Sequence, residues 1–462
     1  MGFKVGTTTI HEHNHTLGLD IISEELKRAG YDVRSVTHRN AKECDVLLVS
    51  LYWVDQALLY PQWLSNAKIN PVENKPIIIV GGSVTWNPII LQNMYNYAVI
   101  GDGENIVVEL IKNIEKGNKN FTAPWLIKNG NERQKKTGNV CKELKAYHYV
   151  ESRTNKITRI EIARGCKGKC KFCQLTWIKP YRELPPVVLK NLIATAPTNN
   201  IALFSPDRGS YSEYEAIERW CLKYKKRNIG TDIRLISTKK IDMASSVRIG
   251  IEGFSERERK SVNKPYKNLD LANDIAHIYN DLKTPKGKPI TVITAYMLIG
   301  LPGQCEEDYQ EFADTLRKID VLCGKTKYKK TLFLTLNDFL PMNHTPMENA
   351  TKDIFTDHLN LWMKHKPHLE NITIAQHGGT RCSAVRLAQL LVSRGGENAN
   401  TAIYNISTKY QKLLNNKTER GGQDMIIFLK KCGVDIDVLI NGYQNKSPWE
   451  NIRPINVKED AL

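Results

Sequence analysis

No apolar run in this sequence approaches the roughly 20 residues that a membrane-spanning helix needs. The longest, Val46 to Val54 and Pro76 to Val80, fall far short, so no membrane partner is expected. No charged leader followed by an apolar core opens the chain, and Gly6 stands where a myristoylation signal wants Ser or Thr. Closely spaced cysteine pairs are lacking too. Apart from one triplet the ten cysteines are scattered, which argues against a disulfide framework and for reduced thiols in the cytoplasm. There is no Gly-x-Gly-x-x-Gly after the first strand and no Walker loop, so a nicotinamide or ATP site is poorly supported.

Acidic residues are outnumbered by basic ones, 49 against 66, which leaves a formal charge of +17 spread through the chain. That balance suits a polyanionic partner, most simply nucleic acid, although a solvated basic surface gives the same number. Two stretches interleave basic and aromatic side chains: Lys223-Tyr224-Lys225-Lys226-Arg227 and Lys325-Thr326-Lys327-Tyr328-Lys329-Lys330.

What the sequence does hold is a dense loop, Arg164-Gly165-Cys166-Lys167-Gly168-Lys169-Cys170-Lys171-Phe172-Cys173. Its three cysteines follow an alternating apolar run, Ile157 to Ala163, that predicts a strand. Thiolates so spaced converge on one centre. Structural zinc almost always takes four ligands, and only Cys141 or His148 offers a fourth, without a paired spacing. A cubane iron–sulfur cluster with three cysteines leaves one iron open to a ligand. Lys167, Lys169 and Lys171 are expected to surround the centre with positive potential and to favour an anionic substrate.

Along the chain, an α/β architecture is expected. Residues 1–125 alternate strands (Phe3–Thr9, Tyr31–Thr37, Asp45–Leu51, Pro76–Gly82, Tyr97–Ile100) with helices (Thr16–Ala29, Asn105–Lys116), a Rossmann-like parallel-sheet domain. Ligands of such sheets sit outside the carboxyl ends of the strands. Gly81, Gly82, Gly101 and Gly103 are candidate ligand-approach positions there, and His11, His13 and His15 form either a ligand cluster or a polar turn. Residues 126–155 read as a linker. From 156 to 350 six β/α repeats follow, too few for an eight-stranded barrel but enough for a partial one. Their strands are Ile157–Ala163, Asn200–Ser205, Asp232–Ser237, Val247–Glu252, Thr291–Leu298 and Thr331–Leu336. Residues 351–462 are mainly helical in pattern, with His377-Gly378-Gly379 as a turn signal.

Cys166-x3-Cys170-x2-Cys173, with Phe172 before the last cysteine, resembles the cluster loop of radical S-adenosylmethionine enzymes. The resemblance extends through Arg248-Ile249-Gly250-Ile251-Glu252-Gly253, Asn263-Lys264-Pro265, Gly300-Leu301-Pro302-Gly303 and Thr345-Pro346-Met347. Val80-Gly81-Gly82, Gly101-Asp102-Gly103-Glu104 and His15-x2-Gly18-Leu19 are similar to the cobalamin-binding domain that precedes the barrel in one branch. It implies a partial (β/α)6 barrel that holds a [4Fe-4S] cluster on Cys166, Cys170 and Cys173, with S-adenosylmethionine on the open iron and possible cobalamin in the first domain. One electron from a donor such as flavodoxin or ferredoxin then cleaves a carbon–sulfur bond, and the 5′-deoxyadenosyl radical takes hydrogen from an unactivated carbon. By the same resemblance Phe172 lies beside the adenine, Glu252 and Ser237 lie near the ribose or methionine tail, and Gly300 to Pro302 lie beneath the adenine. Asp207 stands where the family's Gly-Gly-Glu binds the methionine amine, and His15 where a lower cobalt ligand sits, with His13 in place of the usual Asp.

The substrate stays open between a nucleic-acid base or nucleoside, a peptide or small metabolite, and, in another class, no substrate at all in a metal-stabilised binding module. Methylthio transfer needs further cysteines in the first domain, and only Cys44 and Cys141 precede the triplet.

Overall fold

The computed structural model describes residues 3–12, 16–73, 75–151, 156–229, 232–233, 241–378, 382–416 and 418–454. A first sheet contains β1 (Lys4–Thr9), β2 (Asp32–Ser35), β3 (Val46–Ser50), β4 (Ile77–Gly81), β5 (Tyr97–Val99) and β6 (Leu126–Lys128), in the order 2-1-3-4-5-6. The first five are parallel and β6 is antiparallel. Val46 to Val49 are buried in succession, as a strand covered on both faces requires. Helices α1 (Leu17–Arg28) and α3 (Val107–Glu115) cover one face, packing Leu19, Leu26 and Leu110 on Val5, Leu48 and Ile79. Helix α2 (Val54–Asn66) covers the other, with Ala57, Leu58 and Leu64 on Leu47 and Val49. The strand order reverses at β1, so a ligand crevice is expected above the carboxyl ends of these strands.

The stretch 126–155 is not a plain linker. Besides β6 it supplies β7 (Lys136–Thr137), paired with β19 (Ile452–Arg453), and β8 (Tyr149–Glu151), antiparallel to β9 (Ile157–Glu161). Strands of two or three residues are too short to show alternation, which is why the sequence pattern hides them.

The expected partial barrel follows. After β9 a short ribbon, β10 (Ala163–Arg164) and β11 (Arg182–Glu183), brackets α4 (Gln174–Ile178). Next come α5 (Pro186–Thr195), β12 (Asn200–Phe204), α6 (Ile217–Lys223), β13 (Arg227–Asn228) and β14 (Asp232–Ile233). The series continues with β15 (Val247–Glu252), α7 (Glu256–Ser261), α8 (Asn268–Asn280), β16 (Val292–Ile299), α9 (Glu306–Cys323) and β17 (Lys330–Asp338). Strands β9, β12 and β13 are parallel, with β8 on the edge, and β14 to β17 form a second parallel run. Of the expected third strand, Asp232 and Ile233 pair with β15, and Ser237 lies outside the described residues.

The boundary at 350 also shifts. After α10 (His358–His365), β18 (Ile372–Gly378) adds a further parallel strand beside β17, where a turn is expected at His377-Gly378. The rest is helical as expected: α11 (Ser383–Arg394), α12 (Ala399–Thr408), α13 (Gln411–Asn415), α14 (Glu419–Lys431) and α15 (Ile436–Asn441). Leu387, Ile403 and Met425 of these helices share one hydrophobic core with Leu47, Trp63 and Ile78 of the first domain. Among the described residues no helix is long and apolar enough to cross a membrane.

Candidate active site

The cysteine loop leaves the barrel through a narrow neck. Ala163 pairs with Glu183 and Arg164 with Arg182, so residues 165–181 depart and return side by side. Gly165 takes φ +74°, and a Cβ there would come within 2.5 Å of Pro180 O, so the close approach requires glycine. Beyond the neck the loop is tied internally. Thr176 Oγ1 donates to Cys166 O at 2.9 Å, Trp177 Nε1 to Cys170 O at 3.0 Å, and the Cys173 amide to Cys170 O at 3.2 Å.

Cys170 is buried, Cys166 and Cys173 are half-buried, and no disulfide links the chain's cysteines. Burial pushes the Cys173 thiol up to about 11, with Cys170, Cys166 and Glu252 adding to the rise. A metal cation bound to that sulfur would displace its proton. Among the described residues no three His, Cys, Asp or Glu side chains close on a single ion. A cluster differs in placing each sulfur on its own iron, and three neighbouring thiols on one turn fit that donor set.

Glu252 approaches the loop from β15. It takes φ +72°, a left-handed conformation costly for a non-glycine residue and typical of functional sites, where the register with β16 slips between Gly250 and Glu252. Lys264 Nζ lies 2.7 Å from Glu252 Oε1 and donates to Gly250 O at 3.0 Å. A Cβ on Gly250 would come within 2.3 Å of that ammonium, so the glycine makes room for the pair. Burial opposes the Lys264 charge, yet Glu252 and Cys170 hold its pKa above the usual lysine range. Phe172 packs with Val262, Leu298, Leu301 and Phe339 at the ends of α7, β16 and β17. Gly300 follows β16 at φ +72° with its N–H on Gln304 Oε1 at 2.6 Å, and Pro302 is exposed two residues on.

Asp207 lies in the turn after β12. Oδ1 accepts from the Gly209 amide at 3.1 Å and Oδ2 from Ser210 Oγ at 2.7 Å, so both oxygens are engaged in their own turn. His13, His15 and Ser237 lie outside the described residues.

The glycines of the first domain converge elsewhere. A cavity of about 550 Å³ lies between the two domains, lined by Ser50, Tyr52, Gly81, Gly82, Gly101 and Gly103 on one side. Arg159, Glu161, Arg164, Gly165, Phe204 and Ser205 line the other. The carboxyl ends of the first sheet and of β9 and β12 therefore face one space, with the neck of the cysteine loop in its wall. Tyr52 spans the gap: burial raises its phenol, and Cys173 and Glu161 add to the rise. The glycines have separate reasons. Gly82 (φ +108°) and Gly101 (φ +92°) are fixed by backbone, since a Cβ would meet Leu51 O at 2.4 Å and Asn139 O at 2.2 Å. A Cβ on Gly81 or Gly18 would meet nothing within 4 Å, so both leave the cavity wall open.

Residues 160–316 match the family described as the radical SAM superfamily, and residues 20–129 match the family described as radical SAM proteins, N-terminal. The chain belongs to the radical SAM superfamily. Membership implies a [4Fe-4S] cluster and S-adenosylmethionine. An uncharacterized protein of Methanocaldococcus jannaschii is 23% identical over 305 residues, 63% of this chain and 61% of that protein. A tRNA-2-methylthio-N(6)-dimethylallyladenosine synthase of Clostridium tetani is 21% identical over 194 residues, 37% of this chain and 41% of that protein. The chain thus spans less than two thirds of the length of either relative.

Around the radical SAM loop the structure adds charged residues that sequence reasoning missed. Arg164 lies 2.5 Å from Glu104, 2.7 Å from Glu161 and 3.0 Å from Asp102. Arg182 and Lys179 also meet Asp102. The only sequence signals were the position of Arg164 two residues before the first cysteine and of Asp102 between two motif glycines. The remaining cysteines do not gather: Cys44, Cys221 and Cys323 are each buried in a different hydrophobic core.

Proposed function

We propose that this radical SAM protein modifies a carbon centre of a nucleic-acid base or nucleoside. Cobalamin in the interdomain cavity would make the reaction a methyl transfer, and without it the reaction would be a rearrangement. The observation that carries this reading is the cavity in which the neck of the cysteine loop meets the carboxyl ends of the first sheet and of β9 and β12. When bound, the cluster supplies one electron, received from a flavodoxin or ferredoxin, to the sulfonium of S-adenosylmethionine and so generates the carbon radical.

The chain's own residues bind and exclude. Cys166, Cys170 and Cys173 hold the cluster. Glu252, fixed by Lys264, presents a carboxylate to the ribose or methionine tail, and Phe172 supplies an apolar face backed by Leu298 and Leu301. The aliphatic inner wall of the cavity, Leu48, Ile79, Val99 and Leu110, and the open positions Gly18 and Gly81 suit a bulky ring system such as cobalamin.

Nucleic acid is favoured by the charge of +17 and by Lys167, Lys169 and Lys171, all exposed on the cluster loop. The relative from Clostridium tetani is named for a tRNA modification. A peptide or small metabolite is the second reading, favoured by where the basic-aromatic stretches fall. Lys223 to Arg227 runs into the start of β13 and Lys325 to Lys330 into the start of β17, the ends of the barrel strands opposite the cysteine loop. Mass spectrometry of nucleosides from cells with and without the gene tests the first reading, which expects one modified nucleoside to disappear. Unchanged nucleosides, together with no salt-dependent binding of RNA or DNA by the purified protein, would turn the assignment to the second reading.

A further inference from the structure

Asp102 lies in the turn after β5 and is 3% exposed. Its Oδ2 accepts from the Cys141 amide at 3.1 Å and from Arg182 Nη2. Its Oδ1 lies between Arg164 Nη1 at 3.0 Å and Lys179 Nζ at 3.7 Å, as charge contacts rather than aligned hydrogen bonds. All three cations come from the neck of the cysteine loop: Arg164 on its outgoing strand, Lys179 and Arg182 on its return. Glu104 and Glu161 complete the group by meeting Arg164, so three carboxylates balance three cations. Such a group, screened from water, keeps its full geometric force only while every member is present.

Its placement is specific. The two residues that pair across the neck, Arg164 and Arg182, both turn their guanidinium groups to one carboxylate of the other domain. One residue, Gly165, separates Arg164 from Cys166. Asp102, Glu104, Glu161, Arg164 and Lys179 also line the interdomain cavity. We propose that Asp102 is a positioning residue for the cluster: it closes the neck of the loop from the first domain and so fixes where Cys166 presents its sulfur. The proposal rests on the cysteine loop as the cluster site and is independent of the substrate.

The test uses the full chain reconstituted anaerobically with iron and sulfide. Asp102→Asn keeps the size and an acceptor for the Cys141 amide but removes the charge. It is expected to release iron to a chelator about ten-fold faster than wild type, the low end of what loss of a supporting residue does to a metal site. The electron paramagnetic resonance spectrum of its reduced cluster is expected to shift, and Asp102→Glu to restore part of both. Asp20→Asn is the control, because it removes another contact between the domains, the Asp20–Arg159 ion pair, without touching the neck. If Asp102→Asn matches wild type in iron release and spectrum, or if Asp20→Asn changes them equally, the proposal is overturned. If Asp102→Asn does not fold, Lys179→Gln decides, with faster iron release expected and wild-type behaviour overturning. Wild-type protein that takes up no iron would instead overturn the cluster site itself, and the proposal with it.

Discussion

The two halves of the barrel are built to different standards. From β15 to β18 the strands run six to nine residues over a core in which Phe254, Tyr309, Phe312 and Trp362 stack edge to face or tilted, with ring centroids 4.7 to 5.8 Å apart. From β8 to β13 the strands run two to five residues over a smaller core. The short half bears the cysteines. The cysteine loop therefore grows from the less regular side and is braced from outside, by Asp102 at its neck.

The largest effect should separate the halves completely. Replacing Cys166, Cys170 or Cys173 by Ala is expected to abolish the brown absorbance and S-adenosylmethionine cleavage. Cys323→Ala, in the core of the long half, should keep both and lower stability by about 1 kcal/mol in urea unfolding. Retained iron in any of the three loop variants would contradict the site.

Next is the buried ion pair with which the long half faces the cysteine loop. Lys264→Met leaves Glu252 buried, unbalanced and in its left-handed conformation, which should lower unfolding free energy by about 3 kcal/mol. A loss within experimental error would mean that Lys264 does not balance the Glu252 charge.

A subtler change addresses the cavity alone. Gly81→Leu adds a side chain into open space from a strand position, so the urea midpoint should hold while cobalamin uptake on reconstitution falls by roughly ten-fold or more. Uptake at the wild-type level would place cobalamin outside this cavity.

A gradual effect, spread over pH, belongs to the long half. Burial, with Asp308 beside it, pushes the Glu258 carboxyl up to about 7 from an ordinary 4.5. The folded state keeps a proton that the unfolded chain loses, so this residue's contribution to stability falls as pH rises from 4.5 to 7 and is level above that. Thermal unfolding across that range should show the slope in wild type and less of it in Glu258→Gln. Equal slopes would reject the assignment.

The longer parallel strands up to β17 were legible because their apolar runs are bounded by glycine and polar turns. Helix α2 was not. It is buried over Gln56, Ala57, Leu58, Tyr60, Pro61, Trp63 and Leu64, since it lies between the first sheet and helices α11 and α12. A helix covered on nearly all sides shows no amphipathic period, and Pro61 argues locally against a helix at all. In the site, the cysteines announced themselves by spacing, and Gly250 and Glu252 by the company of Asn263-Lys264-Pro265. Asp102 could not, because its meaning depends on three cations that are 62 to 80 residues further along the chain. Asp207 is the converse case: an acidic residue at the end of a strand suits a ligand and suits a local turn equally well.

The shared core between the first domain and helices α11 to α14 has a consequence for the order of assembly. Residues near 50 finish burying their apolar side chains only against residues near 390 and 425, so during synthesis the barrel emerges while the brace for its cysteine loop is still incomplete. The fold of the first domain is thus a property of nearly the whole chain: truncation before α11 would leave Leu47, Trp63 and Ile78 without part of their cover.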